Sequence, residues 1–127
     1  VYLFTGDIWS KWSASQLINL LPYARKESES KNKTVYERMS FSGFLRGASC
    51  ALFPFFMLLI LRTSGCFFVD FPWWFGIAYL TPVITMGLLV IYMKKRIKGY
   101  TGDCCGATFL FCELLYLLTI PILWKFI

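Results

Sequence analysis

Twenty consecutive residues, 74–93 (WFGIAYLTPVITMGLLVIYM), carry no charge, and Lys94, Lys95, Arg96 and Lys98 follow at once. A helix rises about 1.5 Å per residue, so a stretch of this length crosses the roughly 30 Å hydrocarbon layer of a bilayer. The basic run then anchors its end among lipid headgroups. Apolar residues make up 57% of the 127-residue chain and charged residues 16%. A soluble core of this size could not bury so much apolar surface; a bilayer accepts it. The fold class that follows is all-α: a polytopic membrane bundle.

Two further runs are expected to span. Residues 44–61 (FLRGASCALFPFFMLLIL) form one, with Pro54 tolerated inside a bundle and Arg62 and Thr63 at the end. Residues 106–124 (GATFLFCELLYLLTIPILW) form the last. Residues 1–22 are half apolar, broken by Asp7, Lys11, Gln16 and Asn19. Phe4, Ile8, Ala14, Leu17, Ile18 and Leu21 fit a helical stripe. This predicts a partial or polar-faced helix whose polar side meets other helices and which Pro22 closes. The architecture is thus three full spans plus that N-terminal helix.

The loops set the orientation. Loops 23–43 and 94–104 hold nine of the thirteen Lys and Arg residues, whereas loop 62–73 is near neutral. The basic loops are therefore expected on the cytoplasmic side and loop 62–73 outside, with Trp73 and Trp74 in an aromatic belt.

The net charge of +6 fits this bias and also suits an anionic substrate or headgroup. Nucleic acid is not an expected partner, because the aromatics lie in the apolar runs rather than among the basic residues. There is no histidine, and none of Cys50, Cys66, Cys104, Cys105 and Cys112 forms a C-x-x-C pair, so no zinc site is expected. Cys50 and Cys112 read as small hydrophobes. The N-terminus lacks the pattern of a secretory signal. The chain begins at Val1 rather than Met and reads as a fragment or a processed chain.

Chemistry concentrates between Lys94 and Glu113 (KKRIKGYTGDCCGATFLFCE). A basic run meets a Gly-Tyr-Thr-Gly-Asp turn and then a small-residue helix start. Gly99 and Gly102 allow close backbone approach to a ligand. Asp103 is placed to cap the last helix, whose free amides suit phosphate oxygens. Alternatively, Asp103 suits a magnesium ion bridging phosphates. The same residues also fit ordinary capping and ordinary membrane anchoring, and both readings stay open. Glu113 lies inside a span, where a carboxyl group is costly unless paired or hydrated, so it is expected to face the bundle or a polar cavity. A neutral, hydrogen-bonded Glu that fixes helix packing is the other reading.

Gly99-Tyr100-Thr101-Gly102-Asp103, then Gly106-Ala107 and Glu113-Leu114, resembles the C-terminal signature of the cobalamin synthase (adenosylcobinamide-GDP ribazoletransferase) family. Ser10-Lys11-Trp12 and Leu20-Leu21-Pro22-Tyr23-Ala24-Arg25 resemble its Ser-Arg-Trp and Leu-Pro-Tyr-Ala-Arg segment, in the family's order and near its spacing. Three positions depart from the pattern. Lys11 replaces an Arg, and lacks its bidentate fork. Lys98 stands where a Gly often precedes the motif, and Cys104-Cys105 replaces an aliphatic pair. The family's Asp-rich metal-binding segment lies upstream of anything here. Residues 1–127 are therefore expected to be one membrane domain, the C-terminal fragment of a longer chain.

The resemblance implies a magnesium-dependent transferase of the bacterial or archaeal cytoplasmic (inner) membrane, multi-pass, with its active loops on the cytoplasmic side. It joins α-ribazole, or its 5′-phosphate, to adenosylcobinamide-GDP with release of GMP. It implies catalytic roles for Asp103 and Glu113, with Asp103 also the metal ligand. Gly99, Thr101, Gly102, Gly106 and Arg25 would bind substrate. An oligomer is compatible with all of this. Two alternatives stay open: another membrane alcohol phosphotransferase, or a non-catalytic small membrane subunit or transporter fragment.

Overall fold

The computed structural model describes residues 2–24, 38–64 and 75–126. Its elements are α1 (Tyr2–Ser15), α2 (Leu17–Leu20), α3 (Phe41–Thr63), α4 (Phe75–Ala78), α5 (Leu80–Arg96) and α6 (Gly102–Phe126). Three stretches are long and apolar enough to cross a membrane: Phe41–Ile60, Phe75–Arg96 and Gly102–Phe126. The all-α, three-span architecture is as expected, and the chain is a multi-pass membrane protein. Trp73, Trp74 and most of loop 62–73 lie outside the described residues, as does the middle of loop 23–43.

The helix nearest the centre is the one the sequence marks as most polar. α1 packs against α6, α3 and α5. It runs antiparallel to α6, with Thr5 and Gly6 against Tyr116, and antiparallel to α3, with Trp12 against Gly47. It runs parallel to α5, with Trp9 beside Tyr79 and Leu17 beside Met93. Its buried face is Thr5, Gly6, Trp9, Ser10, Ser13 and Ala14. The expected stripe holds only in part: Ala14, Leu17 and Leu21 are buried, but Phe4 is 63% exposed. Lipid tails solvate an apolar side chain as well as a neighbouring helix does. Small and polar residues therefore take the helix–helix seams, where backbones approach and hydroxyls find partners. Gly6 is the clearest case, because a Cβ there would stand 2.4 Å from ring carbons of the fully buried Tyr116.

The uncharged run 74–93 is not one straight helix. It breaks at Tyr79, between α4 and α5. Pro82 has no N–H to give the Ala78 carbonyl and its ring crowds the preceding turn. The carbonyl freed nearby on Tyr79 accepts from the Trp9 indole at 2.8 Å. Pro54 and Pro121, by contrast, lie within continuous helices. Of the loop expected at 94–104, the helices take Lys94–Arg96 at one end and Gly102 onwards at the other, which leaves five residues, 97–101, as the turn.

These pairings put the ends of α2 and α5 and the starts of α3 and α6 at one pole of the bundle. Arg38, Lys94, Lys95, Arg96 and Lys98 are exposed there.

Candidate functional site

The two stretches that carry the family resemblance lie about seventy-five residues apart in sequence, and the fold joins them by their backbones. α2 ends at Leu21, whose extended φ of −125° and ψ of 147° are what a residue before proline adopts. The chain then runs straight through Pro22 and Tyr23 alongside Tyr100. The Tyr100 amide donates to the Pro22 carbonyl at 3.0 Å, and the Ala24 amide donates to the Tyr100 carbonyl at 2.9 Å. The result is a parallel bridge between Tyr23 and Tyr100, whose rings meet edge-on at 5.4 Å. Leu17, Leu21, Met93 and Tyr100 are buried beneath it.

Two residues permit this clamp. Lys98 leaves α5 with a φ of 58° while its amide bonds back to the Met93 carbonyl at 3.1 Å. That left-handed position after a helix end is the one glycine usually fills, which accounts for the family's Gly at this point. Gly99 follows, and a Cβ there would stand 2.5 Å from the Pro22 carbonyl oxygen and 3.1 Å from Ala24 Cα. The close approach expected at Gly99 is thus an approach by the protein's own backbone. Gly102 and Gly106 differ, because a Cβ at either would meet nothing within 4 Å, and both are exposed.

α6 starts four residues earlier than expected, and this reassigns its cap. Thr101 Oγ1 accepts from the Cys104 amide at 3.4 Å, while the Cys105 amide donates to the Thr101 carbonyl at 3.1 Å. Thr101, not Asp103, is the N-cap. Asp103 lies in the first turn and is exposed, at the positive end of the helix. Among the described residues no basic side chain pairs with it. Gly102, Asp103, Gly106 and Ala107 therefore lie together on one exposed side of the helix start.

The other expected site residues are dispersed. Glu113 is half-buried and lines a shallow groove of about 310 Å³ with Leu110, Leu114 and Leu117. This is an apolar, open surface rather than the expected polar cavity or bundle interior. Small residues, not a buried carboxylate, fill the α1–α6 seam. Arg25 lies outside the described residues; its neighbour Ala24 is held by the clamp. Lys11 pairs with Asp7 at 2.8 Å and lies 5.4 Å from the centre of the Phe109 ring, so it ties α1 to α6 at the lipid-facing surface. Ser10, beside it in the motif, is fully buried.

Magnesium, which the resemblance implies, finds no centre among the described residues. Among the described residues no three His, Cys, Asp or Glu side chains come close enough to hold a metal ion. Asp103 stands as a single carboxylate, ten residues along α6 from Glu113. These residues do not make a metal site on their own, and no step below runs through one.

Sequence reasoning missed the clamp itself. By residue chemistry Pro22 reads as a helix stop and Tyr100 as part of a turn; the resemblance picks out both stretches without bringing them together. The signal available was the glycine before Tyr100 together with Leu-Pro-Tyr upstream, since an extended pre-proline segment needs a backbone partner.

Comparisons with known proteins bear on the family. The family described as cobalamin-5-phosphate synthase matches residues 1–121, a span that includes both halves of the clamp and the start of α6. An adenosylcobinamide-GDP ribazoletransferase of Leptospira interrogans serogroup Icterohaemorrhagiae serovar copenhageni (strain Fiocruz L1-130) is 31% identical over 140 residues. That alignment takes in 98% of this chain and 46% of the relative. An adenosylcobinamide-GDP ribazoletransferase of Polaromonas sp. (strain JS666 / ATCC BAA-500) is 28% identical over 121 residues, covering 94% of this chain and 40% of the relative. The chain thus spans less than half the length of these curated relatives. No solved structure matches. With the profile covering nearly the whole chain, this protein belongs to the cobalamin-5-phosphate synthase family.

Proposed function

We propose that this protein acts as an adenosylcobinamide-GDP ribazoletransferase, and that the pole bearing the clamp and the α6 start is its phosphate-handling end. The observation that carries the reading is the joining of the Pro22–Ala24 and Gly99–Asp103 stretches into one backbone unit. The start of α6 has no packing reason to carry glycine on its exposed side, since Gly102 and Gly106 leave open space. The first amides of a helix have no partner within it, and at the start of α6 the Cys104 amide is taken by the cap. Such a helix start favours anionic oxygens, and the neighbouring Lys94, Lys95, Arg96 and Lys98 add positive charge.

In the proposed reaction a ribose hydroxyl oxygen of α-ribazole, one that stays free when the 5′ position carries phosphate, attacks the phosphorus attached to cobinamide. A new P–O bond forms, the P–O bond to GMP breaks, and the hydroxyl proton passes to water. The chain's own contribution is to hold diphosphate oxygens by amides and basic groups and to place Asp103 at the same point. Positioning and charge stabilisation supply most of the rate in phosphoryl-type transfers. Were magnesium brought in with the substrate, Asp103 is the described carboxylate at this pole that would meet it, and the ion would supply positive charge against the diphosphate.

The test is turnover. Membranes carrying the full-length protein, given adenosylcobinamide-GDP, α-ribazole and magnesium, are expected to release one GMP for each joined product. Failure to release GMP with substrate bound would remove the transferase reading.

We also propose that the clamp pole faces the cytoplasm, in the inner membrane, because the exposed basic residues gather there. In a cysteine-free background, Lys95→Cys should resist a membrane-impermeant thiol reagent in intact cells and react after lysis. Labelling of intact cells would invert the topology.

A further inference from the structure

α1 packs against both α3 and α5, which do not pack face to face, and a cavity of about 660 Å³ opens between the three. Cavities of roughly 300–1,000 Å³ hold small organic ligands. Its walls are aromatic and aliphatic. The Trp12 indole stacks on Trp9 at 4.8 Å and 22°, and the Phe44 ring lies 5.5 Å from Trp12; Val83 and Met86 line the α5 side. Trp12 can lie against α3 because Gly47 is bare, since a Cβ there would be 3.0 Å from its Cδ1.

Among the described residues two lining groups, the Trp12 indole N–H and the Ser13 hydroxyl, have no partner. Ser13 is fully buried, and its Oγ makes no hydrogen bond. Most other helical hydroxyls here return to their own helix, Ser10 being a further exception outside the cavity lining: Thr5 to the Tyr2 carbonyl, Ser15 to Trp12, Ser49 to Leu45, Thr85 to Thr81, Thr108 to Cys104 and Thr119 to Leu115. A hydroxyl that forgoes this bond in apolar surroundings is unfavourable unless something else receives it. Gln16 and Asn19, the other polar lining residues, are already engaged with each other and with Trp12 and Met39 backbone atoms. The cavity also lies beside the clamp, since the lining extends to Leu20, two residues before Pro22.

We propose that this cavity binds a planar nitrogen heteroaromatic base, stacked on the Trp12 and Phe44 walls, with the Ser13 hydroxyl donating to an unsubstituted ring nitrogen. Resting on the function proposed above, the ligand is the benzimidazole base of α-ribazole. That ring has one nitrogen bonded to the sugar and one free to accept. A lipid tail would fill the apolar walls but would leave Ser13 unpaired. Binding the base here would lead its ribose toward the clamp pole, where the α6 start lies.

The experiment measures binding of α-ribazole and of free 5,6-dimethylbenzimidazole to the protein in phosphatidylcholine nanodiscs, by calorimetry and by tryptophan fluorescence. The two probes should compete. Ser13→Ala should weaken both about tenfold, and Met86→Trp, which fills the cavity, should abolish binding while thermal unfolding stays near that of the parent. In turnover, Ser13→Ala should raise KM for α-ribazole and leave KM for adenosylcobinamide-GDP unchanged. No binding to the parent protein, or equal binding by both variants, overturns the proposal. Displacement by alkyl detergent with no sensitivity to Ser13→Ala assigns the cavity to a lipid tail and overturns it too. Normal turnover with an unchanged α-ribazole KM in Ser13→Ala overturns the cavity site while the transferase reading stands. Binding as described with no GMP release leaves the cavity site supported and removes the transferase reading.

Discussion

Gly99→Ala is expected to lower turnover on the order of 100-fold, the scale on which misplacing a catalytic group by about 1 Å acts. The added Cβ would stand 2.5 Å from the Pro22 carbonyl oxygen. That neighbour is backbone, fixed on one side by the end of α2 and on the other by the Tyr100 amide, so it cannot rotate away as a side chain would. The two strands must separate, and the bonds from Tyr100 N to Pro22 O and from Ala24 N to Tyr100 O lengthen or break. Overpacking of this kind costs about 1–3 kcal/mol. The bundle below, held by Trp9, Phe75, Tyr79 and Tyr116, is remote from the clamp and should still insert and fold. Gly102→Ala supplies the contrast. Its Cβ meets nothing within 4 Å, and alanine favours a helix by about 1 kcal/mol over glycine. It should therefore leave folding intact or improve it, and any loss of turnover would come from what approaches α6 from outside. The measurements are thermal unfolding in detergent and GMP release at matched protein. Normal turnover in Gly99→Ala would mean that the clamp does not set the geometry of the site.

The sequence revealed the spans more reliably than their faces. Length and the absence of charge locate a span in any apolar solvent, which is why 44–61, 74–93 and 106–124 each correspond to helices. The face a helix turns inward follows from hydrophobic contrast in water. In lipid that contrast vanishes, so the stripe misled at Phe4, while Thr5, Gly6, Ser10 and Ser13 went inside. The break at Tyr79 has a local cue in Pro82, but Pro54 and Pro121 lie within continuous helices, so proline alone does not decide it; the Trp9 indole that takes the Tyr79 carbonyl is seventy residues away. The start of α6 was misplaced for a simpler reason. Gly102 reads as loop, and Asp103 is as good a cap by type as Thr101. Residues 102–105 became helical once Tyr100 was pinned by Pro22 and Ala24, which fixes where the chain can turn.

Asp103→Asn is expected to reduce turnover about 100-fold or more, the range over which a positioned acid, base or orienting group acts, with insertion and unfolding temperature nearly unchanged. Because Thr101 supplies the cap at 3.4 Å to the Cys104 amide, Asp103 has no hydrogen-bonding duty that its replacement would disturb. It is exposed in the first turn, so the loss of its favourable interaction with the helix dipole is screened by solvent. What Asn removes is the charge. That charge sits awkwardly for a phosphate site, since a carboxylate and a phosphate drawn to the same helix start repel one another. They tolerate each other when a cation lies between them, and the candidates are the basic run at Lys94–Lys98 or a divalent ion brought with the substrate. In either case the carboxylate orients the cation, and Asn cannot. Lys95→Gln is the companion variant: one of four clustered basic residues, it should alter turnover by less than about threefold, given how weakly single exposed charges act. The two variants are compared for GMP release from adenosylcobinamide-GDP and α-ribazole at matched levels in membranes. A magnesium titration adds a second readout, because loss of a metal partner should raise the concentration needed for half-maximal rate. Near-normal turnover with Asn at this position, at every magnesium concentration, would leave the α6 start as architecture alone.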